Sequence, residues 1–529
     1  MESVLLAAVV AWFLSLRLRT YLQYFQQEEY DFGRFVGWWA EARAVDRWAS
    51  VGLIVLLPFA WLQPAAMPLA VGVWLFWRGR QEPDATQQGK KPLVLTPRAG
   101  RLWLMAGLVV APLAAALSLW LPHAGPWGVI ATLLLVQAVP LALGLANGLL
   151  WPLQQWQNRR YLQEATATLQ RLNPTVVSLS GAFGKTSTKY FLHAILAAHA
   201  PTLLSPGSTN TALGLARIVR ERLQPHHQYF LAEMGAYRVG SIAKLCALFP
   251  PHACATTAIG PAHLERFGSV AQVAAAEFEV VHATLARGGP VVLSVDCIPD
   301  DLWQPLVADH PQIRLVTARK ELLRDGDYYL KQATATPQGL QLAIEHRGQL
   351  SAVGTQIHGA TMAPNLATAF ALATELGVPK TTSLAALKAV RPAPHRLAVR
   401  QEGALTILDD SYNSNPAGFA TALETLALLG KGQRKILITP GMVELGPLHD
   451  AEHARLGALA ANTADVVLAV APARIPTFVQ AIQASGQARL QLVPTFQAAL
   501  GWLQQHAQPG DVVLLENDLP DRYEAKWNL

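Results

Sequence analysis

The sequence predicts an α-helical membrane segment followed by an α/β protein, and two contrasts along the chain carry that reading. Up to about residue 155 long apolar runs dominate, whereas after Arg160 short β-branched runs alternate with helical stretches. Bulk composition agrees: 51% hydrophobic against 15% charged residues is too apolar for an ordinary soluble enzyme, so part of the chain belongs in lipid.

The apolar runs cover residues 4–16, 49–62, 65–77, 102–121 and 127–153. The last two reach the ~20 residues that a spanning helix needs. The first three are short and must tilt, borrow flanking residues or insert only halfway. A cleavable signal peptide is a poor reading of the start, which has no basic n-region and no small-x-small site before the arginines. Orientation follows from the intervening loops. Arg17, Arg19, Arg34, Arg43 and Arg47 fall in one, Arg78, Arg80, Lys90, Lys91, Arg98 and Arg101 in the next, and Arg159 and Arg160 after the last run. Positive charge marks the cytoplasmic side, which gives five segments with an outside N-terminus in an inner (cytoplasmic) membrane. Residues 49–77 then form a shallow hairpin turning near Gln63-Pro64, and residues 122–126 turn a second hairpin outside. The stretch between Arg101 and Arg159 carries no Asp, Glu, Lys or Arg, which argues against a buried soluble bundle. No buried charge pair is expected in the apolar runs, which weakens a transporter reading.

The net charge of +6 is modest for 529 residues, and the basic residues flank apolar runs. Without RNP-like aromatics or zinc-finger spacing, no nucleic acid partner is expected. Cys246, Cys254 and Cys297 form no CxxC and read as core residues of a reduced, cytoplasmic domain.

Strands are expected at 175–179, 229–232, 291–295, 406–408, 435–439, 466–470 and 512–515, a pattern of parallel sheet with crossover helices. A boundary falls near Val390–Pro394. The division is a transmembrane region 1–155, a linker 156–172, a central domain 173–390 and a C-terminal domain 391–529.

The strongest local signal is Ser180-Gly181-Ala182-Phe183-Gly184-Lys185-Thr186-Ser187-Thr188, between a strand and a helical stretch. Backbone N–H groups and a helix N-terminus there suit phosphates, with Lys185 reaching the outer phosphates and Thr186 ligating Mg²⁺. It is not a full Walker A, because Leu179 stands where the first glycine belongs. Glu233 ends a strand, where a carboxylate suits Mg²⁺, though an acid there also suits a helix N-terminus. His263 follows a Gly-Pro turn in Ile259–Ser269; alone it reads as a surface or capping residue. Asp409 and Asp410 end a strand and could merely cap a turn, and residues 413–416 make a good turn in any case.

Taken together, SGAFGKTSTK, AEMGA, IGPAHLERFGS, PHRL, LDDSYNSNP and GMVELG resemble the Mur ligases, ATP-dependent amide ligases of peptidoglycan precursor synthesis. The resemblance covers roughly residues 173–529 and is closest to the branch that adds D-alanyl-D-alanine. It implies a P-loop ATPase-type central domain and a Rossmann-like C-terminal domain. It also implies ATP and Mg²⁺ as cofactors. Gly181, Gly184, Lys185, Thr186 and Ser187 would hold the phosphates, and Thr186, Glu233 and His263 the magnesium. Asn365 matches a residue that contacts adenine. Arg396 and Asp410 resemble residues that close over ATP, in a loop completed by Tyr412, Asn413 and Asn415. Catalysis would rest on Lys185, His263 and Arg396. The acceptor carboxylate would attack the γ-phosphate, and an amine would then displace phosphate from the acyl phosphate.

Four departures mark this chain. Glu277 stands where many members carry a carbamylated lysine, and reads as its substitute at the second metal. Met362 replaces an adenine-side asparagine. Glu516-Asn517-Asp518 replaces a Lys-Gly-Ser segment near the incoming amino substrate, and the apolar segment stands in place of the UDP-sugar domain. The expected function is a membrane-anchored ligase forming a peptide bond on an envelope precursor, UDP-linked or lipid-linked, with an amino acid or peptide. The alternatives are a ligase of amino-acid polymers or secondary peptides, and a non-catalytic nucleotide-binding scaffold at the membrane.

Overall fold

The computed structural model describes residues 2–41, 44–87, 91–261 and 267–519, and His263, Arg43 and Lys90 lie outside them. The described residues separate into two compact units, one up to Gln157 and one of Asn158–Asp518.

The first unit is helical: α1 (Glu2–Gln27), α2 (Phe32–Glu41), α3 (Arg47–Leu62), α4 (Met67–Arg80), α5 (Pro97–Ala124), α6 (Pro126–Gln137) and the part of α7 (Val139–Leu172) up to Gln157. The α3/α4 pair breaks at Gln63, where Pro64 starts a short 3₁₀ turn, at the hairpin position expected from sequence. α5 is opened by Thr96, whose hydroxyl accepts the Ala99 N–H at 3.2 Å, with Pro97 at the first position. Among the described residues, two helices are long and apolar enough to cross a membrane, and three if α6 and α7, bent by 54°, count as one span. α3 and α4 fall short of that length. Residues 156–172 continue α7.

Two expectations are corrected here. Arg17 and Arg19 are not in a loop, because α1 continues from Leu16 to Gln27. Nor are the apolar helices free of buried charge: Arg17 is fully buried and pairs with Asp46 and, at 3.1 Å, with Glu82. Glu82 also accepts the Thr20 hydroxyl at 2.7 Å. Such a cluster holds α1 because a buried guanidinium without carboxylates is far too costly to desolvate.

The second unit holds two sheets. The first has nine strands in the order β2-β3-β1-β4-β5-β6-β7-β8-β9: β1 Thr175–Ser180, β2 Thr202–Leu204, β3 Tyr229–Glu233, β4 Ala253–Thr256, β5 Val291–Ser294, β6 Arg314–Thr317, β7 Tyr328–Thr336, β8 Gly339–His346 and β9 Gln349–Gly354. β2 to β7 are parallel, and β7, β8 and β9 form an antiparallel edge. The continuous apolar runs in β1 and β3 are buried on both faces, as a parallel sheet covered by helices demands. One face carries α8 (Lys185–His199) and the helix Met362–Glu375, which bury Phe191, Leu192, Leu366 and Phe370. Cys246 and Cys254 are buried core residues whose thiols burial pushes up to about 12.

The second sheet runs β10-β11-β15-β12-β13-β14, from β10 Ala398–Glu402, β11 Leu405–Asp410, β12 Lys435–Thr439, β13 Val466–Val470, β14 Arg489–Val493 and β15 Val512–Glu516. All its pairs are parallel except β10/β11. In the first sheet the chain leaves β1 toward β2 and β3, then returns to β4 on the other side. The loop after β1 therefore opens into the crevice where α/β proteins gather ligands.

Candidate active site

The 181–184 loop leaves β1 and turns into α8 through Gly184, whose φ of +82° is the left-handed conformation glycine tolerates. A Cβ at Gly184 would stand 2.5 Å from Asn365 Oδ1, so loop and asparagine approach closely because there is no side chain between them. Gly181, at φ +127°, is equally constrained: a Cβ there would meet the Thr257 hydroxyl at 2.3 Å. The loop is pinned to the end of β4 by Ala182 N–H donating to Ala258 O at 2.6 Å and Thr257 Oγ1 donating to Phe183 O at 2.5 Å.

α8 carries the functional groups in its first turns. Lys185 Nζ donates to Gly181 O and lies 3.8 Å from Glu277 Oε1. Glu277, buried at the end of the helix Val270–Glu277, accepts the Gly181 N–H at 2.6 Å. The Thr186 hydroxyl donates to Glu233 Oε2 at 3.0 Å and meets Ser208 Oγ at 3.2 Å. Ser187 is buried on the same turn.

One member of this cluster escaped the sequence reading. Lys189, one helical turn beyond Lys185, is fully buried and ion-paired with Glu233 at 2.9 Å. Its Nζ also donates to Gly207 O at 2.5 Å and Ser205 Oγ at 3.3 Å. Burial pulls the Lys189 ammonium down in pKa, and the Glu233 carboxylate opposes that pull. Asn210 adds a donor to Glu233 Oε1 at 3.4 Å. Positions 185 and 189 share a helix face, which sequence spacing shows, but the acid that Lys189 meets lies 44 residues further on.

The oxygen donors of Thr186, Ser208 and Glu233 suit a hard divalent cation. Among the described residues no group of three His, Cys, Asp or Glu side chains converges on a metal position.

The remaining expected residues sit just before β10 and at the ends of β11 and β15. Asp410 Oδ1 accepts the Leu397 N–H at 3.0 Å, and Arg396 stacks 4.4 Å from the Tyr412 ring centre. His395 and Leu397 both adopt positive φ, +59° and +49°, which throws the intervening Arg396 out of line with the strand. Arg396 is close enough to bear electrostatically on both Asp410 and Lys189. Asn413 is exposed, and Asn415 caps the helix Pro416–Leu429 by accepting the Gly418 N–H at 3.0 Å. Glu516, in register with Asp410 across β11/β15, is fully buried; its Oε1 accepts the Ser414 hydroxyl at 2.5 Å. Burial pushes Asp410 up to about 6, against Arg396 and the Leu397 N–H. Glu516 is raised as well, by burial first and by Asp410 second. Met362 contacts Asn365 directly, its sulfur 3.8 Å from Nδ2.

The arrangement sets the N-terminal end of α8 and a lysine beside a carboxylate–hydroxyl pair, with a second sheet edge bearing an arginine. Comparison with known proteins agrees with that chemistry. The Mur ligase middle domain matches residues 179–373, and the Mur ligase glutamate ligase domain matches residues 395–516. A UDP-N-acetylmuramoyl-tripeptide–D-alanyl-D-alanine ligase of Mycobacterium tuberculosis (strain H37Rv) is 31% identical over 372 residues, 65% of this chain and 70% of the relative. The Escherichia coli K12 enzyme of the same name is 31% identical over 304 residues, 57% and 65% of the two chains. A crystal structure of MurF from Acinetobacter baumannii superposes with a TM-score of 0.59 at 26% identity, covering 68% of this chain and 77% of that one.

Proposed function

The chain belongs to the Mur ligase family and is an ATP-dependent, ADP-forming ligase of a peptidoglycan precursor, and we propose that it works while held in a membrane, through an acyl phosphate. The observation that carries the catalytic reading is the Thr186–Glu233 contact at 3.0 Å, one residue after the loop lysine. In this reading residues 173–390 form a P-loop ATPase-type domain and residues 391–529 a Rossmann-like domain. Residues 1–155 are the membrane part and residues 156–172 the linker.

Gly181, Gly184, Lys185, Thr186 and Ser187 hold the phosphates of ATP, with the N-terminal end of α8 facing the negative charge. Thr186 and Glu233 hold Mg²⁺, joined by His263 from its place in the motif. Glu277, beside Lys185, contributes charge for a second ion. Bound Mg²⁺ would neutralise charge on the transferring phosphoryl group. Asn365 takes the adenine side, while Arg396, Asp410 and Asn413 close from the second sheet. The acceptor carboxylate displaces ADP at the γ-phosphorus. The incoming amine then attacks the acyl carbon, phosphate leaves, and an amide forms. Lys185 and Arg396 serve by electrostatic stabilisation of developing charge.

The apolar lengths of α1, α5 and the α6/α7 pair support residence in a membrane, and the basic residues that flank the apolar runs favour the inner membrane with the ligase domains in the cytoplasm. That placement favours a lipid-linked acceptor over a freely diffusing UDP-linked one. The test offers detergent-purified chain both kinds of precursor with several amino acids and dipeptides, and reads products by intact mass. The expected result is one new amide per ADP on the lipid-linked acceptor. An amide formed only on the UDP-linked acceptor would contradict the lipid-linked reading, and no amide on either would contradict the ligase.

A further inference from the structure

We propose that the N-terminal unit binds one hydrocarbon chain of a lipid with a net negative headgroup in a groove between α1 and α5. The proposal rests on the membrane residence set out above. The groove encloses about 250 Å³ and is lined by Ala11, Ser15 and Leu18 of α1 and Trp103, Gly107 and Ala111 of α5. These positions recur every three or four residues, so each set lies on one face of its helix. Residues 11–18 span ~10 Å of α1 at 1.5 Å per residue, a slot with room for part of one chain. The space beside Gly107 is open: a Cβ built there meets nothing within 4 Å. Beside it Leu104 and Leu108 are 62% and 61% exposed, so the lip of the groove is as apolar as its floor.

One end of the groove is different. Trp103 Nε1 donates to Ser15 O at 3.4 Å, and the Arg19 guanidinium lies 4.6 Å from the centre of the same ring. Arg19 Nε is buried and has no hydrogen-bond partner among the described residues. The acid in electrostatic reach of Arg19, Asp84, already accepts from Thr86 Oγ1 at 2.7 Å and Thr86 N at 2.9 Å. Tryptophan and arginine at the end of an apolar slot make the pair that sits at a membrane surface, one ring in the headgroup layer and one cation aimed at it. A soluble anion would satisfy Arg19 and leave the slot empty. A neutral lipid would fill the slot and leave Arg19 unmatched. An anionic headgroup joined to a chain answers both at once.

The test reconstitutes the full chain in nanodiscs of equal parts phosphatidylcholine and phosphatidylglycerol. Lipids that stay bound after transfer to detergent are counted by native mass spectrometry. Wild type is expected to retain one phosphatidylglycerol. Gly107→Phe, which places a ring in open space, should lose it. Gly148→Phe adds the same bulk to α7, where a Cβ also meets nothing within 4 Å, and should keep it. Arg19→Gln should keep a lipid but lose about fivefold in preference for phosphatidylglycerol. Equal retention by wild type and Gly107→Phe, or no headgroup preference in wild type, overturns the groove alone. Failure of wild type to enter the nanodiscs overturns the membrane reading along with it.

Discussion

The two sheets of the ligase unit both end strands in buried carboxylates, and they leave those carboxylates in opposite states. At the end of β3, Glu233 receives Lys189, Thr186 and Asn210, so its charge is answered from within the protein. At the ends of β11 and β15, Asp410 and Glu516 sit side by side with one hydroxyl, one backbone N–H and the field of Arg396 between them. Glu516 Oε2 is buried with no hydrogen-bond partner among the described residues. The first edge is electrostatically finished and built to keep one geometry. The second sets two buried carboxyl groups side by side, and burial raises both above the usual carboxylate range. A finished edge suits the part that must grip a phosphate chain in one register, and an unfinished one suits the part that completes the site only when cations and substrate are in place.

The largest expected effect falls on the finished edge. Lys185→Ala removes the cation aimed at the phosphates and should lower turnover by about 10²-fold or more, measured as ADP release with precursor present. A loss below tenfold would place phosphate stabilisation elsewhere. Next comes Lys189→Met, which strands the Glu233 carboxylate in a buried site. It should cost about 3–5 kcal/mol in denaturant unfolding, with part recovered when Glu233→Leu is added. An unchanged midpoint would show that the edge does not depend on its internal counter-ion.

On the unfinished edge the sign reverses. Glu516 has a raised folded pKa, so the native state binds more protons than the unfolded one, and wild type loses stability as pH rises above about 4.5. Glu516→Gln removes that loss. The variant should melt above wild type at pH 7.5, by ~2–4 °C for each kcal/mol regained, and the gap should close toward pH 4. A variant less stable at pH 7.5 would mean that Glu516 is a paired charge. The smallest effect belongs to Tyr412→Leu, which removes the half-exposed ring under Arg396. A two- to fivefold rise in nucleotide KM is expected, about 0.5–1 kcal/mol, and no change would detach Arg396 from nucleotide binding.

The same contrast explains what could be read from sequence. Glycine and lysine spacing after β1 is dictated locally, by positive φ and a helix N-terminus, so the strand–loop–helix turn at 180–185 was legible. The strands with β-branched runs were legible too. β2, β4 and β6, the antiparallel edge β7–β9 and edge strands β10 and β14 were not, because runs of three or four residues or of mixed polarity do not stand out in sequence. Lys189 lay inside a motif already singled out, but its partner Glu233 comes from a strand 44 residues away, and no spacing rule joins them. Glu516 was legible as an acid in an unusual place, whereas its burial against Asp410 depends on strand register. In the helical unit the Gln63-Pro64 turn follows from proline chemistry and was foreseen. Arg17 was misplaced in a loop because hydropathy ends at Leu16, while the helix runs on, its guanidinium matched by carboxylates distant in sequence.

The central claim is that an acceptor carboxylate is activated as an acyl phosphate, and isotope transfer tests it most directly. An acceptor precursor labelled with ¹⁸O in its reacting carboxylate is turned over with ATP and amine, and the released phosphate is analysed by mass. One ¹⁸O per phosphate is the predicted result, since the attacking carboxylate oxygen leaves on phosphorus. Unlabelled phosphate alongside a newly formed amide would contradict the account.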